Sequence, residues 1–139
     1  MNHRLTRVLA GLGAAGVVLT AQPAPASAGP TSWKWGALHS TDGMATARGK
    51  VVVGQSGLVV TGYLDDTYGK GCSWVLIKYQ NASNGRRRTH GVYNCTAGTG
   101  SFRKSVGGVL QIWAQVCRGT SKRPVGRCSR WKTIYTQGG

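Results

Sequence analysis

Alternation of apolar and polar residues with a period of two, repeated over short segments, most narrows the folds open to this chain. Val75, Ile77 and Tyr79 alternate with Trp74, Leu76 and Lys78, and Leu110, Ile112, Ala114 and Val116 alternate with Gln111, Trp113 and Gln115. Successive side chains on an extended backbone point to opposite faces, so each run offers one apolar face and one mixed face. Beyond the first 28 residues no window carries the i, i+3, i+4, i+7 pattern of a helix. Strands are expected over Arg48 to Val53, Leu58 to Leu64, Ser73 to Gln80, His90 to Cys95, Gly100 to Val106, Val109 to Cys117 and Cys128 to Thr136. Gly54-Gln55-Ser56-Gly57 signals a hairpin, and Gly107-Gly108 a two-residue turn joining the fifth strand to the sixth. The fold class expected is all-β: a single small antiparallel β-sandwich of about seven strands, or alternatively a small barrel.

The first 28 residues read differently. Arg4 and Arg7 precede an apolar run from Val8 to Thr20, and Ala26-Ser27-Ala28 follows as a small-x-small cleavage site. The run falls short of the ~20 residues that span a bilayer. A cleaved signal peptide over 1–28 is expected, with an extracellular mature chain and no stable membrane insertion after cleavage. Residues 29–46 lack clear periodicity and are expected as an extended segment in which Trp33 and Trp35 share a face; residues 47–139 form the sandwich.

Four cysteines follow the leader: Cys72, Cys95, Cys117 and Cys128. An even number in a secreted chain implies two disulfides, for which three pairings exist. Cys72–Cys95 with Cys117–Cys128 is favoured, because each bond then joins the ends of consecutive β segments. By the loop-entropy account each contributes about 3 kcal/mol. No Cys-x-x-Cys spacing points to zinc, so no metal is expected.

Charge sets the partner class. Removing Arg4 and Arg7 from the 18 basic residues leaves 16, against Asp42, Asp65 and Asp66 and no glutamate, a mature net charge of +13. Such a field favours anionic partners such as cell-wall polymer, acidic polysaccharide, a lipid surface or, non-specifically, nucleic acid. The competing reading is that the charge serves solubility alone.

Catalytic chemistry is poorly represented. Asp65 and Asp66 are adjacent, so on extended backbone their side chains diverge. Calcium-loop and phosphate-loop patterns are missing around Asp65 to Gly71, and no G-x-S-x-G marks a nucleophile. His39 and His90 are the mature histidines, and their spacing supports no acid–base pair. No motif calls for a cofactor. Asn81-Ala82-Ser83 and Asn94-Cys95-Thr96 match glycosylation sequons.

Binding features are better represented. Arg118, Lys122, Arg123 and Arg127 crowd one loop that a Cys117–Cys128 bond would close, with Arg130 and Lys132 just beyond. Closing a loop pre-organises its charges toward a polyanion. Arg86, Arg87 and Arg88 form a second basic loop, and Trp131, Trp33 and Trp35 are the candidate exposed aromatic contacts. With antiparallel strands alternating in direction, a seven-strand count puts the two basic loops at opposite ends of the domain, with Asp65 and Asp66 near the 118–127 loop.

Val116-Cys117-Arg118-Gly119 through Cys128-Ser129-Arg130-Trp131-Lys132-Thr133, with the Leu64-Asp65-Asp66 strand end ahead of the first cysteine, resembles the small secreted two-disulfide proteins of actinomycetes. The likeness covers most of 46–136 and implies a leader, two disulfides and a β-sandwich, but no catalytic residues. The function expected is non-enzymatic binding of anionic cell-wall or extracellular polymer, with the 118–127 loop as main contact. The alternatives are an inhibitor or effector that docks its rigid loop into a protein partner, and a small nuclease or glycan hydrolase using His39 or His90.

Overall fold

The computed structural model describes residues 16–24, 29–67 and 70–139. Most of the leader expected over 1–28, including its cleavage site, lies outside these residues. Residues 16–24 form no helix or strand, and Val17, Val18 and Leu19 are exposed. Among the described residues no helix is long and apolar enough to cross a membrane.

The strands are β1 (Ser32–His39), β2 (Ala45–Gly54), β3 (Gly57–Asp66), β4 (Cys72–Asn81), β5 (Arg87–Asn94), β6 (Gly98–Gly107), β7 (Val109–Gly119), β8 (Pro124–Gly126) and β9 (Lys132–Thr136). Two antiparallel sheets result. One has four strands in the order β1-β2-β3-β6; the other has five, β5-β4-β7-β8 with β9 also on β7. The all-β expectation holds, with strands added to the count. One is β1: the segment expected outside the sandwich is its edge strand, paired from Ser32 opposite Val52 to His39 opposite Thr46. An irregularity between Gly36 and Leu38 breaks the alternation and hides the strand from a pattern search. The other is the short β8 inside the basic loop.

Between the sheets lies the core. Val51, Val60, Leu64, Val75, Ile77, Ile112, Ala114 and Val116 are fully buried, each aliphatic side chain larger than alanine contributing roughly 1.5–3 kcal/mol. Central strands β2 and β3 place Gly49 opposite Gly62, flanked by Trp35 on β1 and Phe102 on β6. With no side chains between them, the two rings come within 6.2 Å. A Cβ at Gly62 would lie 2.8 Å from the Phe102 ring.

Two local expectations need correction. Gly107 has φ 74°, but Gly107-Gly108 does not close a hairpin. β6 pairs with β3 and β7 with β4, so these glycines carry the chain from one sheet to the other. Leu110 does not share the inner face with Ile112. The register between β4 and β7 slips where Gln80 faces Gln111 and Asn81 faces Val109; this bulge turns Val109 inward and Leu110 out. The Gly54–Gly57 hairpin forms as expected.

Both disulfides form in the favoured pairing, Cys72–Cys95 and Cys117–Cys128. Register also places the basic segments. Cys72 faces Gly119 and Asn81 faces Val109, so the connections after β7 and after β4 lie at opposite ends of the sheet.

Candidate polyanion-binding face

All three aspartates are already engaged. Asp66 is fully buried, and its Oδ1 accepts a 2.8 Å hydrogen bond from Arg118 Nη1. The same nitrogen donates to Ser73 Oγ at 2.8 Å, Arg118 Nη2 donates to the Lys70 carbonyl, and Nε lies 3.8 Å from Asp42 Oδ2. Arg118, expected as a surface contact, is therefore an internal brace between β3 of one sheet and β7 of the other. It shares the inward face of β7 with Ala114 and Val116, and that parity decides its fate over its charge.

Asp42 accepts hydrogen bonds from Ser40 Oγ at 2.6 Å and the Met44 N–H at 3.1 Å. Desolvation opposes its ionisation, but these bonds and the charges of Arg118 and Arg127 outweigh it and hold the carboxyl below the usual range. Asp65 pairs with Arg48 at 3.3 Å and accepts from the Thr99 hydroxyl. Among the described residues, every other lysine and arginine lacks an acidic partner.

The outer face of the five-stranded sheet gathers part of this charge beside aromatic rings. Lys78 and Trp113 sit directly opposite on β4 and β7 and point away from the core, as do Gln80 and Gln111 in the next row. Arg87 extends that row on β5, opposite Gln80. Trp131 arrives from outside the strands. After Cys128, Ser129 exchanges bonds with Val116: its N–H donates to the carbonyl at 2.8 Å and its Oγ accepts from the amide at 3.0 Å. Gln115 Nε2 donates to the Ser129 carbonyl at 2.9 Å. The chain so pinned leads Trp131 to Lys78. The Lys78 ammonium lies 4.2 Å from the Trp131 ring centroid and 5.2 Å from that of Trp113, with the Arg87 guanidinium 5.2 Å from Trp113. No acidic residue shares this face. Amides, indole surfaces and unneutralised cations together suit a partner that carries both rings and negative charge.

At the end of the face nearer the disulfides, Trp74 is buried against Cys72 and Cys117 and packs at a tilt against the half-exposed Tyr93, with ring centroids 5.0 Å apart. Its indole N–H donates to the Thr120 carbonyl at 2.7 Å, tying the start of the basic loop to the sheet. The Arg127 carbonyl accepts from the Thr41 N–H at 2.9 Å and ties the other end.

The remaining sequence-derived candidates separate clearly. Lys122, Arg123, Arg127, Arg130 and Lys132 are exposed as expected. So are Arg86, Arg87 and Arg88, although Arg87 and Arg88 belong to β5 and only Arg86 to the loop. Trp35 is buried in the core and Trp33 packs edge-on against Tyr135 at 4.9 Å, so neither is an exposed contact; alternation puts both on the inner face of β1. Trp131 is partly buried, as Trp33 is, but it lies beside Lys78 on the outer face of the five-stranded sheet. Trp113 and Lys78 are binding candidates that the charge runs did not reveal. His39 bonds Thr46 on the outside of the four-stranded sheet, whereas His90 faces inward on β5 near Lys104, so the two histidines assemble no common site. Burial, with the Lys104 ammonium nearby, pushes the His90 imidazole below its ordinary value. No group of three metal-ligating side chains occurs among the described residues. No protein-family model matches the chain, and neither a curated protein nor a solved structure shows significant similarity to it.

Proposed function

We propose that the protein is a secreted, non-enzymatic module that attaches to anionic cell-wall or extracellular polymers through the outer face of its five-stranded sheet. The observation that carries this reading is Lys78 held between the Trp113 and Trp131 rings, beside Arg87, on a face without an acidic residue. Stacking supplies contact with rings, and the cations supply attraction to phosphate or carboxylate groups. Lys122, Arg123 and Arg127 extend the positive field at one pole but are not its centre.

Co-sedimentation of the oxidised chain with bacterial walls, with and without their anionic polymer, tests the reading across a salt series. Binding should need the polymer and weaken as salt rises. Trp113→Ala and Trp131→Ala should each reduce affinity about tenfold, near the lower end of ~1–3 kcal/mol per stacked ring. Arg123→Ala with Arg127→Ala should mainly flatten the salt dependence. Unchanged binding by the double tryptophan variant, or binding indifferent to salt, removes the proposal.

A second reading has one observation in its favour. Val125 is 69 % exposed in the loop that Cys117–Cys128 closes, as a loop that docks into a protein would present it. Salt-insensitive binding lost in Val125→Asp but kept in the tryptophan variants would select that alternative.

A further inference from the structure

The opposite side of the sandwich carries a second concentration of charge. On the outer face of the four-stranded sheet, Lys34, Lys50, Thr61 and Arg103 form one row across all four strands. Lys34 and Lys50 are directly opposite, which puts their Cβ atoms about 5 Å apart, a like-charged pair that destabilises the sheet when nothing lies between. The only acid on this face is Asp65, already bonded to Arg48 and Thr99. The surface here is a groove of about 600 Å³ lined by Lys34, Gly36, Arg48, Lys50, Thr61 and Tyr63. Gly36 has φ 97°, and a Cβ there would stand 2.8 Å from the Arg48 Cα, so this wall of the groove is necessarily bare. Tyr63 is 52 % exposed, with the Arg48 guanidinium 5.8 Å from its ring.

Lys34, Lys50 and Thr61 stand in one row on three adjacent strands and line the same groove, so two ammonium groups and a hydroxyl border it from different strands. A tetrahedral phosphate offers acceptor oxygens in several directions and suits this arrangement better than a flat carboxylate. Because the row lies on the far side of the core from Lys78, one rigid polymer segment cannot reach both faces. We propose that the groove binds a phosphate group and that, with the Trp113–Trp131 face opposite, it lets one molecule bridge two strands of a phosphate-bearing polymer. The bridging half rests on the polymer-binding reading above; the phosphate site stands apart from it.

Two experiments on the oxidised chain separate these parts. In the first, amide shifts are followed by NMR during titration with a hexose phosphate and, separately, inorganic phosphate. Shifts at Lys34, Lys50, Thr61 and Tyr63 that disappear in Lys34→Gln with Lys50→Gln establish the site. Larger shifts with the sugar phosphate than with inorganic phosphate assign a contact to the sugar. Silence at these amides with both probes overturns the whole proposal. In the second, light scattering is followed while the protein is added to soluble poly(glycerol phosphate). Lys34→Gln with Lys50→Gln should lose scattering but still pellet with walls, whereas the charge-matched Lys70→Gln with Lys104→Gln should keep both. Equal loss in the charge-matched variant, or no loss in the groove variant, overturns bridging. Groove shifts without any wall binding would retain the phosphate site and discard both bridging and the polymer reading.

Discussion

Arg118 exposes how little a basic residue's type says about its role. Its guanidinium joins Asp66 and Ser73 inside the sandwich and reaches the Lys70 carbonyl, so three connections depend on one side chain. Arg118→Met leaves the Asp66 carboxylate buried without its counter-charge, and removal of one partner from such a pair costs about 3–5 kcal/mol. Urea unfolding should register that loss, while Arg123→Met, at an exposed site, should shift stability by less than about 0.5 kcal/mol. Near-equal stabilities for the two variants would mean the brace carries no weight. Asp66 and Arg118 are in phase with Leu64 and Val116, so the sequence already carried the signal. Clustering with Lys122, Arg123 and Arg127 masked it.

At the level of strands, alternation was legible wherever the pleat runs uninterrupted. Val75 with Ile77 and Gln111 with Trp113 take the faces their parity implies. Parity failed at Leu110 and across Gly36 to Leu38, where a bulge or irregularity inserts a residue that no local pattern announces. The candidate face was harder to read. That Lys78 and Trp113 each point outward follows from their own strands, but their contact depends on β4 lying beside β7 in one register, a non-local fact. Glycine in a central strand ordinarily signals weakness, yet Gly49 and Gly62 permit the meeting of Trp35 and Phe102. Gly62→Ala should therefore destabilise by about 1–3 kcal/mol through overpacking. Gly108→Ala, with open space around its Cβ position, should be nearly neutral. Chemical denaturation of both variants decides the point, and an equally mild Gly62→Ala would show that the Arg48 carbonyl and the Phe102 ring, the nearest neighbours of that Cβ, both yield easily.

For the whole molecule, charge and protonation act together. The fold keeps His90 neutral below its ordinary pKa, so the unfolded chain takes up protons first as acidity rises. Stability is therefore full above about pH 6.5 and declines below it. His90→Gln should flatten that decline in urea titrations at successive pH values; an unaltered slope would place its source elsewhere. Asp42 acts in a lower window. Its carboxyl is held ionised, so its contribution is complete above about pH 3.9 and fades as pH falls through the lower folded value. The path of the chain has a kinetic side as well. β3 finds its outer neighbour only in β6, after β4 and β5 have gone to the other sheet, and β4 needs β7, which comes later still. An N-terminal portion ending before Gly98 can complete neither layer, and non-local pairing of this kind is slow because distant segments must meet before any contact rewards them. Such a chain keeps both layers open until nearly all of it is available, and although Cys72 and Cys95 can join within the local β4–β5 pair, Cys117 and Cys128 can lock the structure only afterwards.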